Sequence, residues 1–256
     1  MRALHAEWIK LRTVAGTGWL VLAAVVLTVG LSVAVCAAVS AGMGPGQDPT
    51  RLSLTGVDLG QAVVAILAVL ALSGEYGSGL IHVTLAATPR RPAVLAAKAT
   101  LVGGLALAAG VVAVGGSLLA GRLLLPGRGF TPAHGYALLS LASGPTLRAA
   151  AGSVLYLALI ALLSLGIAGI VRDAAAAVGV VLGLLYLFPI LASLVGNPTW
   201  QRHLEQAGPM SAGLAVQATV GLTSLPVRPW VGLAVLAAWA AAALLIGGLA
   251  LCLRDA

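Results

Sequence analysis

The sequence predicts an all-α polytopic membrane protein with six transmembrane helices. Three observations carry that expectation: 60% of the residues are apolar, only 8% are charged, and the mean hydropathy is +1.07. Soluble globular chains carry about a quarter charged residues. A chain of 256 residues with this composition therefore lacks the polar coat needed to hide its apolar surface from water. Six helices of roughly 20 residues each use about half the chain. Residues 1–256 thus read as a single transmembrane domain with short loops and one longer inner linker.

Charge-free runs mark the crossings, because a charge at the bilayer centre costs at least ~2.5–3.5 kcal/mol. The first span is expected at 18–41. Its apolar core exceeds the ~7–15 residues of a signal-peptide core. A lipoprotein signal is also excluded, since Val35 precedes Cys36 where a small residue is required. The second span, 55–75, contains a charge-free window of sixteen residues between Asp58 and Glu75. As helix that window covers ~24 Å, short of the ~30 Å hydrocarbon core, so one carboxylate is expected near the membrane boundary. The third span, 99–121, lies between Lys98 and Arg122, and the fourth, 149–171, between Arg148 and Arg172. The fifth, 174–195, follows Asp173 at once, which makes Arg172 and Asp173 a tight turn at a membrane face. The sixth, 230–253, opens on Trp230, a residue suited to the interface.

Three further segments are too polar or too broken to cross. In residues 1–13, Leu4, Trp8 and Leu11 recur at helical spacing opposite Arg2, Lys10 and Arg12. That pattern predicts an N-terminal interfacial helix built on Trp8, Lys10, Leu11 and Arg12. Residues 122–147 carry Pro126, Pro132 and Pro145 and read as an irregular outer loop. Residues 196–229 hold a mildly apolar stretch, Met210 to Leu222, among four prolines. Its length suits a re-entrant or short outer helix between spans five and six. Lys and Arg in the flanking segments divide eight to six in favour of the N-terminal side of the first span. This bias puts both termini in the cytoplasm.

The same residues exclude several chemistries. Fourteen basic against seven acidic residues are too scattered to bind nucleic acid. Neither Lys10 nor Lys98 follows the glycine pattern of a phosphate-binding loop, so no ATP site is expected on this chain. The four histidines are isolated, and Cys36 and Cys252 lie in apolar runs, which leaves no metal site and no catalytic group to name. Ionisable residues fall at span ends, and Gln61 is the most polar candidate inside a span, expected to hydrogen-bond a neighbouring helix. Gly56-x-x-x-Gly60 and Gly179-x-x-x-Gly183 both offer a close helix approach. Twelve arginines against two lysines, with abundant Ala and Gly, point to a GC-rich bacterial genome.

One stretch stands apart: Gly74-Glu75-Tyr76-Gly77-Ser78-Gly79-Leu80-Ile81-His82-Val83-Thr84-Leu85-Ala86-Ala87-Thr88-Pro89-Arg90-Arg91, followed by Ala97-Lys98. It resembles the cytoplasmic loop of type-two ABC exporter permeases, in which E-Y-x-x-G-x-I-x-x-T-L-x-x-x-P-R-R precedes an A-K pair. The leader Glu7-Trp8-Ile9-Lys10-Leu11-Arg12-Thr13, Arg172 after the fourth span, and Pro209-Met210-Ser211-Ala212-Gly213 are similar to features of actinobacterial members. His82 departs from the pattern, where arginine commonly follows the isoleucine. The resemblance implies a cytoplasmic coupling helix between spans two and three. Glu75, Tyr76, Leu80, Thr84, Leu85, Pro89, Arg90 and Arg91 would then meet a separate cytosolic ABC ATP-binding subunit. It also implies two copies of that subunit, a second permease copy or related chain, and residence in the bacterial cytoplasmic membrane. No cofactor is expected on this chain; ATP and magnesium belong to the partner. Glu75 is expected to pair with an arginine of the linker or leader. The rival readings are an ion-gradient-driven secondary transporter or channel, and a non-transporting membrane scaffold or lipid enzyme.

Overall fold

A computed structural model of the chain describes residues 15–41, 47–77, 91–136, 139–140 and 143–253. The expected interfacial helix with Trp8, Lys10, Leu11 and Arg12, and the coupling residues Leu80, Thr84, Leu85, Pro89 and Arg90, lie outside the described residues. Arg91 enters through its backbone, as the first residue of a helix. The protein is all-helical: helix accounts for 84% and no strand occurs among the described residues.

The helices, in order, are α1 (Ala15–Ala38), α2 (Pro49–Ser53), α3 (Val57–Gly77), α4 (Arg91–Leu124), α5 (Gly144–Val171), α6 (Ala174–Leu194), α7 (Pro198–Ala207), α8 (Pro209–Leu214) and α9 (Pro229–Leu253). Six of them, α1, α3, α4, α5, α6 and α9, are long and apolar enough to span a membrane. None of the connecting helices α2, α7 and α8 approaches that length.

The core is organised around α5, which packs against α3, α4, α6 and α9 and touches α8. Its residues Tyr156, Ile160, Ala161, Leu163, Leu165 and Ala168 are closed off from solvent. The outer helices keep large apolar side chains such as Leu245, Leu249 and Leu119 exposed, as an apolar solvent requires. Without a hydrophobic difference between lipid and leucine, association rests on close packing, which small residues allow. At the α5–α9 crossing a Cβ added to Gly247 would fall 2.6 Å from the Gly166 carbonyl oxygen, so the two backbones touch there. Gly56 and Gly60 do the same for α1 and α3, where a Cβ at either would overlap Thr28. The spacing is the same at Gly179 and Gly183, yet both face open space.

Two ends of the bundle follow from the contacts. At one end the last turn of α3, the second turn of α4, the α5–α6 turn and the last turn of α9 converge. At the other, α2 meets the segment after α8, and the turn after α4 meets the end of α1, with Ala41 N donating to Arg128 O at 2.8 Å. Arg172 and Asp173 alone join α5 to α6. Arg172 caps α5 in the left-handed region, φ 64°, a conformation that costs an L-residue about 1–2 kcal/mol. Its guanidinium offsets this by donating to Ala250 O of α9 at 2.9 Å. Asp173 caps α6 by accepting from Ala176 N at 2.7 Å.

The third long helix runs beyond the expected span 99–121 at both ends. Lys98 was the expected boundary, but α4 begins at Arg91 and runs to Leu124, so Lys98 lies inside it. The physical reason is a buried partner for the ammonium, described next.

Candidate functional site

Two polar assemblies interrupt the apolar bundle. The first is charged. Glu75 sits in the last turn of α3 and Lys98 in the second turn of α4, with Nζ 2.8 Å from Glu75 Oε1. The side chains are only 10% and 4% exposed. Lys98 Nζ also donates to Ala71 O, the backbone carbonyl one turn before Glu75, at 3.2 Å. A buried ion loses several kcal/mol of hydration, so a pair at this depth persists only when the charges meet closely and further hydrogen bonds are made. Both conditions hold here.

Tyr76 follows Glu75, and the Arg172 guanidinium lies 5.4 Å from the centre of its ring, within cation–π range. Arg172 in turn binds α9 through Ala250 O. Glu75, Tyr76, Lys98 and Arg172 thus join α3, α4, the α5–α6 turn and α9 at one end of the bundle. Of the sequence-derived coupling residues, Glu75 and Tyr76 are placed here, at the end from which the 78–90 segment leaves α3 and re-enters α4. The side chains of the leader and linker arginines expected to pair with Glu75 lie outside the described residues. Among the described residues the ion-pair partner of Glu75 is Lys98. Lys98 was taken as a span boundary, and the clue to its role is its place 23 residues after Glu75, on the return helix.

The second assembly is uncharged and lies deeper. Gln61, in the second turn of α3, has no exposed surface. Its Oε1 accepts a hydrogen bond from the equally buried Tyr156 Oη of α5. Its Nε2 faces Asp58 O at 3.0 Å, Met210 Sδ of α8 at 3.2 Å and Tyr186 Oη of α6 at 3.4 Å. Tyr186 Oη donates to Asp58 O at 2.6 Å. Four helices therefore meet at one carboxamide. The Tyr156 ring also lies against α8, since a Cβ on Gly213 would fall 2.6 Å from its Cε2. Trp239 Nε1 of α9 donates at 3.0 Å to the O of Ala207, the last residue of α7, just ahead of α8.

The opposite end has its own clamp. Asp48 caps α2, accepting from Thr50 N at 3.0 Å and Arg51 N at 3.2 Å. The same carboxylate accepts from Thr219 N, from Thr219 Oγ1 at 2.7 Å and from Val220 N at 3.1 Å. Arg148 Nη2 donates to the neighbouring Ala218 O at 2.6 Å. The segment after α8 is thereby tied both to α2 and to α5. A cavity of about 510 Å³ opens beside it, bordered by Asp48, Arg51, Thr55 and Ser224. The sequence reading passed over Asp48. Its signal is the Asp-Pro pair, a cap residue followed by proline at the first helical position.

These assemblies hold helices in register. Among the described residues no three His, Cys, Asp or Glu side chains converge as a metal ion requires. Compared with models of known protein families and with curated proteins, the chain matches none.

Proposed function

We propose that this chain is the membrane-spanning permease subunit of an ATP-driven ABC exporter, moving a drug, lipid or peptide-like substrate with energy from a separate ATP-binding subunit. One observation carries the reading: the segment from Gly74 to Lys98 that resembles the exporter coupling loop begins and ends on two helices bolted together by Glu75 and Lys98. A force applied to that segment would reach α3 and α4 as a unit. Through Tyr76 and Arg172 it would pass to α5 and α9. The six long apolar helices supply the membrane part, with residence in a bacterial cytoplasmic membrane and both termini inside. In this reading the leader forms an interfacial helix, and α7 with α8 forms the short helical insert between spans five and six. Two ATP-binding subunits and a second permease chain would complete the assembly, with ATP and magnesium held by the partner and the chemistry done there.

The test is purification in mild detergent from its native membrane. A soluble P-loop ATPase should accompany the chain in equal amount. Charge reversal, R90E with R91E, should abolish substrate-stimulated ATPase activity while leaving insertion intact. Unchanged stimulation, or a chain that purifies without any ATPase and transports uphill alone, overturns the reading. The buried Glu75–Lys98 pair gives one foothold to a second reading, an ion-gradient-driven transporter, because secondary carriers hold ionisable groups inside the bundle. Transport in proteoliposomes under an ion gradient without nucleotide would decide for it.

A further inference from the structure

The C-terminal end of α4 presents a cation that no other described side chain answers. Arg122 lies in its last turn, exposed, and makes no hydrogen bond or ion pair with any described residue. Two hollows flank it. One, of about 310 Å³, lies toward the bundle end among Pro49, Gly121, Pro126 and Phe130. The other, of about 290 Å³, runs back along the helix between Gly115, Leu118, Leu119 and Thr146. Arg122, Leu139 and Ser140 border both.

The geometry is that of an amphiphile. Gly115, Leu119 and Arg122 stand at i, i+4 and i+7, on one face of α4. From Gly115 to Arg122 the helix rises about 10 Å, so the apolar hollow extends that far from the guanidinium toward the middle of the helix. Gly115 leaves its floor open: a Cβ there meets no atom within 4 Å. Leu119 and Leu123 beside it are 58% and 71% exposed, so the hollow opens sideways rather than into the core. Guanidinium is the side chain best matched to phosphate, binding two oxygens at once. Position at a helix C-terminus further favours its charge.

We propose that this groove binds one anionic phospholipid of the surrounding bilayer, its phosphate on Arg122 and the start of an acyl chain along Gly115, Leu118 and Leu119. An unpaired arginine on a bare helix end would meet any passing headgroup. Here an apolar hollow of about 290 Å³ leads away from the guanidinium, and the loop residues Leu139 and Ser140 wall both compartments. Phosphate and tail are therefore recognised together.

The test uses the full chain in mixed micelles of phosphatidylcholine doped with phosphatidylglycerol, scoring co-purified lipid by mass spectrometry. Wild type should retain phosphatidylglycerol over phosphatidylcholine. Arg122→Gln should reduce that preference about fivefold, the worth of one phosphate contact near the membrane surface. Gly115→Leu, which fills the hollow and leaves the charge, should reduce retention as much, while Arg128→Gln on the exposed turn nearby should change nothing. Equal retention of the two lipids by wild type, or a groove variant that retains phosphatidylglycerol as wild type does, overturns the proposal. So does full displacement by millimolar inorganic phosphate, which would show an anion site indifferent to the chain.

Discussion

Tyr156→Phe isolates the knot around Gln61. The ring stays against α8, and only the hydroxyl that donates to Gln61 Oε1 is removed. That oxygen is then left without a donor at a residue with no exposed surface. In a soluble core, stranding one buried acceptor costs about 1–3 kcal/mol. Between membrane helices double-mutant cycles give less, averaging about 0.6 and reaching about 1.7 kcal/mol, because the unfolded chain in lipid finds other partners. Gln61 has no exposed surface and is met by three other helices, so the upper part of that range applies: a loss of about 1–1.7 kcal/mol for Tyr156→Phe. Gln61→Leu removes the carboxamide with all its contacts and strands the tyrosine hydroxyl, and is expected to cost about 2–4 kcal/mol. The double variant should fall short of the sum by at least about 1 kcal/mol. Reversible unfolding in mixed micelles with rising fractions of denaturing detergent, followed by circular dichroism, measures all four corners. A Tyr156→Phe protein as stable as wild type, or strictly additive losses, would refute the view that this carboxamide ties the helices together.

The other predictions concern the charged end, the tight crossing and the clamp. Lys98→Met leaves Glu75 buried without its ammonium and should lower stability by about 3–5 kcal/mol, and adding Glu75→Gln should restore most of it, both read in the same unfolding assay. Gly247→Val forces α5 and α9 apart and should cost at least about 1–3 kcal/mol, whereas Gly179→Val, in open space, should stay within about 0.5 kcal/mol of wild type. Asp48→Ala removes the acceptor for the Thr219 and Val220 amides. Their hydrogen exchange should quicken while the amides of α5 keep their protection.

The long helices were legible because charge is so costly in hydrocarbon that its absence writes their positions directly. At Lys98 the helix runs on past the charge: α4 starts two turns earlier, at Arg91, and the ammonium meets Glu75 on the preceding helix. The oddity of Gln61 was visible in the chain, but its partners Tyr156 and Tyr186 lie 95 and 125 residues away, and no local pattern joins them. The two G-x-x-x-G motifs make the same point. One lies at a crossing and the other faces outward, a difference set by which helices meet, not by spacing. Asp48 carried a local signal as a cap, while its second task, holding residues 219 and 220, depends on a loop 171 residues further on.

The link between α5 and α6 bears on how the protein is made. Two residues span at most about 7 Å when extended, so once the first of these rods has been threaded into lipid the second has nowhere to wait in water. If α5 and α6 both cross a bilayer, they must enter it as one folded-back unit, with Arg172 and Asp173 at its bend. Lengthening that bend by a flexible insert would divide a single act of biogenesis into two, and the yield of assembled protein would register the change before any property of the finished bundle did.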